Sequence, residues 1–234
     1  MSIFVDAAAA AGQLLLTADS TLADITLLSL RVSATATLLA ALIGLPLGAW
    51  VALTASRTRL PIVVLLNASM GLPPVVVGLV MYLLLSRSGL MGPLGWLFTP
   101  AGMVMAQTIL ITPIIAALAR QTIEDVHLSL RDWFCSLGLG SWQRVATLLF
   151  EARFSLAVVL LAGFGRAIAE VGAVMIVGGN ISGSTRVMTT TIALETSKGD
   201  LPLALALGAL LVALVLTING AAQWLKSWME QQHG

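Results

Sequence analysis

Five apolar stretches, each about as long as a membrane is thick, constrain this sequence more than any other feature. A helix needs about 20 predominantly apolar residues to cross the hydrocarbon core of a bilayer. Only 10% of the residues are charged, against about 25% in soluble domains. No stretch alternates polar and apolar residues as the strands of a membrane barrel do. The sequence therefore predicts an all-α polytopic membrane protein with about five transmembrane helices, at Ile25–Ala55, Pro61–Leu85, Pro100–Ala119, Ser155–Val177 and Leu201–Trp224.

Basic residues are distributed unevenly about these spans. The connections after the first and third spans, with the C-terminal tail, carry seven Lys or Arg residues, and the connections on the other side carry three. Because cytoplasmic loops are enriched in Lys and Arg, we expect the N-terminus outside and the C-terminus in the cytoplasm. The chain then divides into an N-terminal interfacial segment (1–20), a transmembrane domain (21–225) with a cytoplasmic loop at 120–153, and a cytoplasmic tail (226–234). No basic residue precedes the apolar residues 3–11, so we expect this segment to be retained rather than cleaved as a signal.

The remaining composition argues against several classes of function. A net charge of +1 offers no basic surface for nucleic acid. One cysteine and two histidines are too few for the usual protein metal sites. The sequence contains neither the glycine-lysine loop that binds ATP phosphates nor the short signatures of metalloproteases and serine hydrolases. We therefore expect no cofactor, no metal and no catalytic residue in this chain.

Prolines interrupt three of the spans. Proline inside a helix removes a backbone donor and kinks or breaks the helix, and in a membrane the freed carbonyl needs another partner. Ordinary packing accounts for Pro46 and Pro113, because proline is frequent in membrane helices. Pro73 and Pro74 are adjacent and closely follow Gly71, so we expect a bend there that lines a pathway.

The polar connection at 120–153 carries a helical pattern. Apolar residues recur at i, i+4, i+7, i+8 and i+11, as one stripe of a helix: Val126, Leu130, Trp133, Phe134 and Leu137. Gly138 and Gly140 should end this helix, and Ser141 is a candidate N-cap for a second one. The apolar positions of the second helix are Trp142, Val145, Leu148 and Leu149. We therefore predict two helices joined by a glycine elbow on the cytoplasmic face.

Two ionisable residues lie inside the fourth span. Arg166 and Glu170 are four residues apart, so on a continuous helix they share one face and can pair. A single charge near the bilayer centre costs about 2.5–3.5 kcal/mol on insertion scales, so the pair should face the bundle interior. Intramembrane charges are candidates for a solute pathway, although a buried pair can also serve helix packing alone. Both interpretations stay open from the residues themselves.

The elbow resembles a known motif. The run RDWFCSLGLGSWQRVATLLFEAR is similar to the cytoplasmic coupling loop of binding-protein-dependent ABC importer permeases, with Asp132 at the acidic position and Gly138 at the glycine. Trp133 and Phe134 stand where that family usually has alanines, and the usual downstream proline is missing. The resemblance implies that this loop docks on a separate ATP-hydrolysing subunit. The residues that it places in the contact are Asp132, Gly138, Leu139, Gly140, Ser141, Trp142 and Arg144.

A second resemblance covers about residues 20–225. The runs GRAIAEVGAVMIVGGN, ISGSTRVMTTTIALETSKGD and GLPPVVVGLVMYLLL resemble tungstate permeases and the similar molybdate permeases. The resemblance implies a type I ABC importer bundle in the inner membrane, working as a homodimer with an ATPase subunit and an extracytoplasmic oxyanion-binding protein. Hydroxyl groups and a guanidinium in 180–200 would suit a tetrahedral oxyanion, but the segment could also be a gate or a contact for the binding protein. The candidate pathway or gate residues are Pro73, Pro74, Arg166, Glu170, Thr185, Arg186, Thr189 and Thr190.

An ion-gradient-driven secondary carrier for a small anion is the alternative function. Such carriers often contain internal repeats and broken helices near the midplane. Five spans do not divide into equal halves, and the sequence shows no repeat. Glu170 would be the proton-relay candidate in such a carrier, whereas the importer interpretation leaves the energy source to a partner chain.

Overall fold

The computed structural model describes residues 20–54, 59–138 and 140–233, and within these ranges the chain forms helices and no strand. Except for Ser20, the segment expected at 1–20 lies outside the described residues, while the backbone of the tail continues the last helix to His233. The helices in chain order are α1 (Ser20–Leu53), α2 (Arg59–Met70), α3 (Pro74–Leu85), a 3-10 turn (Gly92–Leu94), α4 (Pro100–Ser129), α5 (Arg131–Ser136), α6 (Ser141–Ile168), α7 (Gly172–Gly178), α8 (Met188–Lys198) and α9 (Leu201–His233).

The spanning helices match the expected architecture. Four stretches are long and apolar enough to cross a membrane: Thr21–Leu53, Pro100–Ser129, Gln143–Ile168 and Leu201–Ala221. Helices α2 and α3 together form a fifth, bent by 94° at residues 71–73. The predicted all-α bundle of about five spans is therefore confirmed, and the sharp bend lies at the predicted proline doublet.

The predicted boundaries of two spans are wrong. The third span was expected to end at Ala119, but α4 continues to Ser129. The fourth was expected at Ser155–Val177, but α6 begins at Ser141 and ends at Ile168. The second helix of the predicted elbow is thus the first part of a spanning helix, so the elbow connects directly to the membrane bundle at both ends.

The first part of the elbow is two helices with a break between them, and not the single helix that the apolar stripe predicts. The stripe is divided between the end of α4 and the short α5, with a break at Leu130. The prediction that Ser141 is an N-cap is wrong, because Gly140 has that position and Ser141 is the first helical residue. The Gly140 N–H donates to Gln143 Oε1 at 3.0 Å, which satisfies one backbone donor at the start of α6.

Helix α4 is the centre of the bundle, and α1 packs along it. A Cβ added to Gly48 of α1 would lie 2.5 Å from the Ala116 carbonyl oxygen and 2.9 Å from the Arg120 nitrogen. Small residues let membrane helices approach closely, so Gly48 permits a backbone contact that no other residue would allow. Pro46 and Pro113 lie inside these two continuous helices. Helix α4 also contacts α2, α3, α5, α6 and α7.

The outer surface of the bundle is apolar. Large side chains on several helices are well exposed, including Leu42 at 73%. Contiguous apolar surface of this kind is rare on soluble monomers. Lipid does not penalise it, so the exposure is consistent with a bundle surrounded by membrane.

Gly48→Ala should destabilise the bundle, because the new methyl group overlaps the α4 backbone. Overpacking of a filled core typically costs about 1–3 kcal/mol. Gly208→Ala in α9 is the matched control: its Cβ meets nothing within 4 Å, and alanine favours a helix over glycine by up to about 1 kcal/mol. Thermal unfolding in detergent should show a lower midpoint for Gly48→Ala and no loss for Gly208→Ala. Equal midpoints would contradict the close α1–α4 contact.

Candidate functional site

The fourth span is interrupted at residues 169–171, between α6 and α7. Arg166 lies in the last turn of α6 and Glu170 lies in the interruption. The predicted ion pair forms, with Arg166 Nη1 and Glu170 Oε2 2.5 Å apart. The expectation that both residues share one continuous helix is wrong, because Glu170 is outside the helix. The Glu170 side chain is 4% exposed and that of Arg166 is 37% exposed, so the carboxylate is buried and the guanidinium faces a more open region.

Distant side chains satisfy the backbone groups of this interruption. The Ala167 carbonyl accepts a hydrogen bond from Gln107 Nε2 on α4 at 3.0 Å. The Glu170 carbonyl accepts one from Thr189 Oγ1 on α8 at 2.9 Å. Glu170 Oε1 in turn accepts from the Ala173 N–H at 3.2 Å, at the start of α7. Non-helical backbone at membrane depth is tolerated where protein groups or a cavity provide partners, and here three elements provide them.

A small polar cavity adjoins the interruption. Its polar lining consists of Ser29, Ser33, Gln107, Glu170 and Thr189, and its volume is about 10 Å³. Such a cavity has room for about one water molecule. Gln107 Oε1 is buried there and has no hydrogen-bond partner within the described ranges. The buried bundle therefore contains a polar spot beside the ion pair, where an apolar core would be expected.

The proline bend lies against the same interruption. Helix α3 begins at Pro74 and packs against α7, where a Cβ on Gly78 would lie 2.9 Å from the Ala173 Cα. A Cβ on Gly172 would lie 3.1 Å from Val75 Cγ2. The structure thus brings together two interrupted spans that the sequence separates by about ninety residues. Pro73 itself is exposed.

The three candidate threonines make internal hydrogen bonds. Thr185 is fully buried, donates to the Gly178 carbonyl at 2.6 Å and accepts from the Ile181 N–H at 3.0 Å. Thr190 is also fully buried and exchanges hydrogen bonds of 3.0 and 3.1 Å with the Val187 backbone. Thr189 donates to the Glu170 carbonyl within the interruption, as described above. These hydroxyls shape the connection between α7 and α8 and position α8 against the ion pair.

Arg186 lines a second cavity and not the small polar cavity beside the interruption. It is half-buried, and its Nη2 donates to the Asn180 carbonyl at a long 3.4 Å. It lines a cavity of about 520 Å³ between the start of α1 and residues 182–186, together with Thr21, Asp24, Arg31, Ser182 and Ser184. The site residues predicted from the sequence did not include Arg31. The sequence did contain an indication, because an arginine inside an apolar span is rare and typically functional.

In the elbow, the side chain of Phe134 is buried, whereas its neighbours Trp133 and Leu137 form an exposed tip. Phe134 is 3% exposed, packs with residues of α1, α4 and α6, and stacks on His127 with ring centroids 6.1 Å apart. Its neighbour Trp133 is 68% exposed, and Leu137 is also exposed. The sequence could not distinguish these positions, because all three belong to one apolar stripe.

The other predicted contact residues surround this tip. Asp132 is exposed in the first turn of α5, and Gly138 has φ +60° with open space about it. Arg144 is half-buried in the first turn of α6. Leu139 and the side chains of Ser141 and Trp142 lie outside the described part of the chain.

A second ion cluster connects the bundle near the elbow. Glu124 on α4 bridges Arg59 of α2 at 2.5 Å and Arg120 of α4 at 2.7 Å. Pro100 and Arg120 are separated by a helical rise of about 30 Å at 1.5 Å per residue, which equals the thickness of the hydrocarbon core. The cluster and the elbow therefore lie at one membrane border, and the Pro100 end of α4 lies at the other.

Comparison with known proteins agrees with this architecture. The family described as the binding-protein-dependent transport system inner membrane component matches residues 44–231. A probable anion ABC transporter permease protein of Haloferax volcanii is 42% identical over 203 residues, covering 85% of this chain and 88% of the relative. The tungstate uptake system permease protein of Peptoclostridium acidaminophilum is 39% identical over 210 residues, covering 90% and 92%. A molybdenum transport system permease protein of Escherichia coli is 28% identical over 222 residues, covering 89% and 95%. The chain therefore belongs to the inner membrane components of binding-protein-dependent transport systems, as a multi-pass permease subunit of an ABC importer.

Proposed function

We propose that this permease imports a tungstate or molybdate oxyanion and works as a homodimer. The observation that carries the proposal is the meeting of two interrupted spans beside a buried ion pair, in a chain whose relatives are named for tungstate, molybdenum and anion transport. Interrupted helices place polar backbone inside a membrane, where it serves binding or gating. An extracytoplasmic binding protein would deliver the oxyanion, and a separate ATPase would drive the cycle.

The elbow is the proposed contact for the ATPase. Trp133 and Leu137 offer exposed apolar surface, and Trp is enriched at the energetic centres of protein interfaces. Phe134 anchors α5 against α4 and α6. A displacement of α5 would therefore move α4 and α6. These helices carry Gln107 and Arg166 at the ends that lie far from the elbow. This connection gives ATP binding in the partner a route to the interruption between α6 and α7.

The proposed orientation follows from the same contact. ATP is hydrolysed in the cytoplasm, so the elbow faces the cytoplasm and the opposite border, with the start of α1, faces outside. The Lys and Arg distribution supports this direction. The binding protein would then approach residues 182–186, at the border opposite the elbow.

The carrier alternative depends on Glu170 exchanging a proton. Glu170 pairs with Arg166 and accepts a hydrogen bond from the Ala173 N–H. A relay would have to release both contacts in each cycle, so the geometry favours a structural or gating role for Glu170.

Charge reversal at Asp132 or a bulky residue at Gly138 should uncouple transport from ATP hydrolysis. Asp132→Lys alters the exposed tip, and Gly138→Leu places a side chain at a positive φ that L residues rarely adopt. Purified with the ATPase, wild type should hydrolyse ATP in response to loaded binding protein, and the two variants should lose most of that response.

Leu128→Ala is the control, because this exposed side chain on α4 is outside the elbow tip. It should keep the wild-type response.

The orientation is checked with Ser136→Cys in a Cys135→Ser background: an impermeant thiol reagent should label it in inside-out vesicles and not in intact cells. Normal coupling in both elbow variants, or labelling from outside, would contradict the docking proposal.

Arg166→Ala should reduce uptake or assembly more than Glu170→Gln. The first variant leaves a carboxylate buried without its partner, which typically costs about 3–5 kcal/mol. The second removes the charge but keeps an oxygen that can accept from the Ala173 N–H. Oxyanion uptake and the yield of folded protein should both follow this order.

Lys198→Ala provides the matched control, since Lys198 pairs with Glu195 at 2.8 Å on α8 but is 54% exposed. Glu195 is buried as Glu170 is, but this pair lies at the end of α8 far from Thr189 and its cation is more exposed than Arg166. The variant should therefore reduce uptake much less than Arg166→Ala. Wild-type uptake by the double variant Arg166→Ala, Glu170→Ala would remove both residues from the pathway proposal.

A further inference from the structure

Two arginines face one cavity at the border opposite the elbow. Arg31 lies on α1 and Arg186 lies just before α8, and both line the 520 Å³ cavity. Val32, next to Arg31, packs with Met103 in the first turn of α4. The cavity is therefore near the Pro100 end of α4, about 30 Å along α4 from Arg120.

In the described ranges, neither Arg31 nor Arg186 has a carboxylate oxygen within salt-bridge distance, whereas Arg59, Arg120 and Arg166 each have one. The Nε of Arg186 is buried and has no hydrogen-bond acceptor among the residues described. Arginine presents planar donors suited to bidentate contact with an oxyanion. Unpaired arginines in a membrane protein that face a cavity are candidates for an ion pathway.

Asp24 supplies an opposing charge in the same cavity. It lies seven residues before Arg31, so both side chains are on one face of α1 but about 10 Å apart along the axis. The salt bridges within the described ranges do not include this pair. The lining therefore carries two positive charges and one negative charge. Ser182 and Ser184 add hydroxyl donors. The volume is within the range of small-molecule sites, about 300–1,000 Å³.

We propose that the Arg31–Arg186 cavity binds a tetrahedral oxyanion before it reaches the interruption between α6 and α7. The inference deepens the proposed function and rests on it for the identity of the cargo. Arg31 and Arg186 bind the anion, the serine hydroxyls of Ser182 and Ser184 donate further hydrogen bonds, and Asp24 weakens binding so that the anion can leave. A site on a transport pathway needs this balance, because binding must be strong enough for entry and weak enough for release.

The test uses the full-length permease in complex with its ATPase, in lipid nanodiscs without the binding protein. Tungstate and sulfate, both tetrahedral dianions, are titrated by calorimetry. Arg31→Gln and Arg186→Gln should each weaken binding about tenfold, as expected for loss of one charged hydrogen bond. Asp24→Asn should strengthen binding several-fold, since it removes a like charge. Opposite effects at neighbouring positions would not arise from general loss of folding.

Arg87→Gln is the control for net charge, because Arg87 is exposed in the α3–α4 connection at the same border and does not line the cavity. It should bind as wild type does. Arg31 is exposed, so Arg31→Gln keeps the test valid if Arg186→Gln misfolds. Unchanged binding in Arg31→Gln, or the same loss in Arg87→Gln, would overturn the inference.

Two further outcomes separate this inference from the proposed function. If wild type imports tungstate and the arginine variants neither bind nor transport differently, the cavity inference fails and the proposed function stands. If the cavity binds both dianions but the complete system imports neither tungstate nor molybdate, the proposed function fails. If wild type binds neither dianion, and the variants instead weaken association with the binding protein, the cavity serves a protein contact and the oxyanion inference is overturned.

Discussion

The interruption between α6 and α7 depends on hydrogen bonds that come from other helices. Ending α6 at Ile168 frees carbonyl groups inside an apolar bundle, and each such group would be costly without a donor. Gln107 donates to the Ala167 carbonyl, which also accepts from the Glu170 N–H, and Thr189 donates to the Glu170 carbonyl. The Glu170 carboxylate accepts from the Ala173 N–H at the start of α7 while it pairs with Arg166. One short segment therefore fixes the relative positions of α4, α6, α7 and α8. The polar groups that allow the break also create the small polar cavity beside it.

The close α1–α4 contact and the elbow connect this segment to the surface proposed to contact the ATPase. Gly48 lets α1 lie against the backbone of α4, and Phe134 holds α5 against the same core. Since α4 extends from the elbow to the opposite border, movement at one end displaces Gln107 within the bundle. The Arg31–Arg186 cavity lies at the far end of this connection. In the proposed function, an entry site, an interrupted span and a contact for the ATPase follow one another across the membrane.

The sequence predicted the features that depend on local composition. The number of spans, the bend at Pro73 and Pro74, and the pairing of Arg166 with Glu170 all follow from residue type and spacing. The end of α6 did not, because no proline interrupts residues 166–171 and the partners that make the break tolerable are about 20 and 60 residues away. The internal role of Thr185 and the burial of Phe134 beside exposed Trp133 likewise depend on tertiary packing. Arg31 was missed although its charge was visible, because the apolar residues around it satisfied the pattern of a span.

Uptake of tungstate by the reconstituted wild-type system tests the central claim most directly. Proteoliposomes would contain the permease and its ATPase, with loaded binding protein on the outer side and ATP inside, in the absence of any ion gradient. The account predicts that tungstate accumulates inside only when both ATP and the binding protein are present. Accumulation driven by a proton or sodium gradient without ATP, or no accumulation of either tungstate or molybdate, would contradict it.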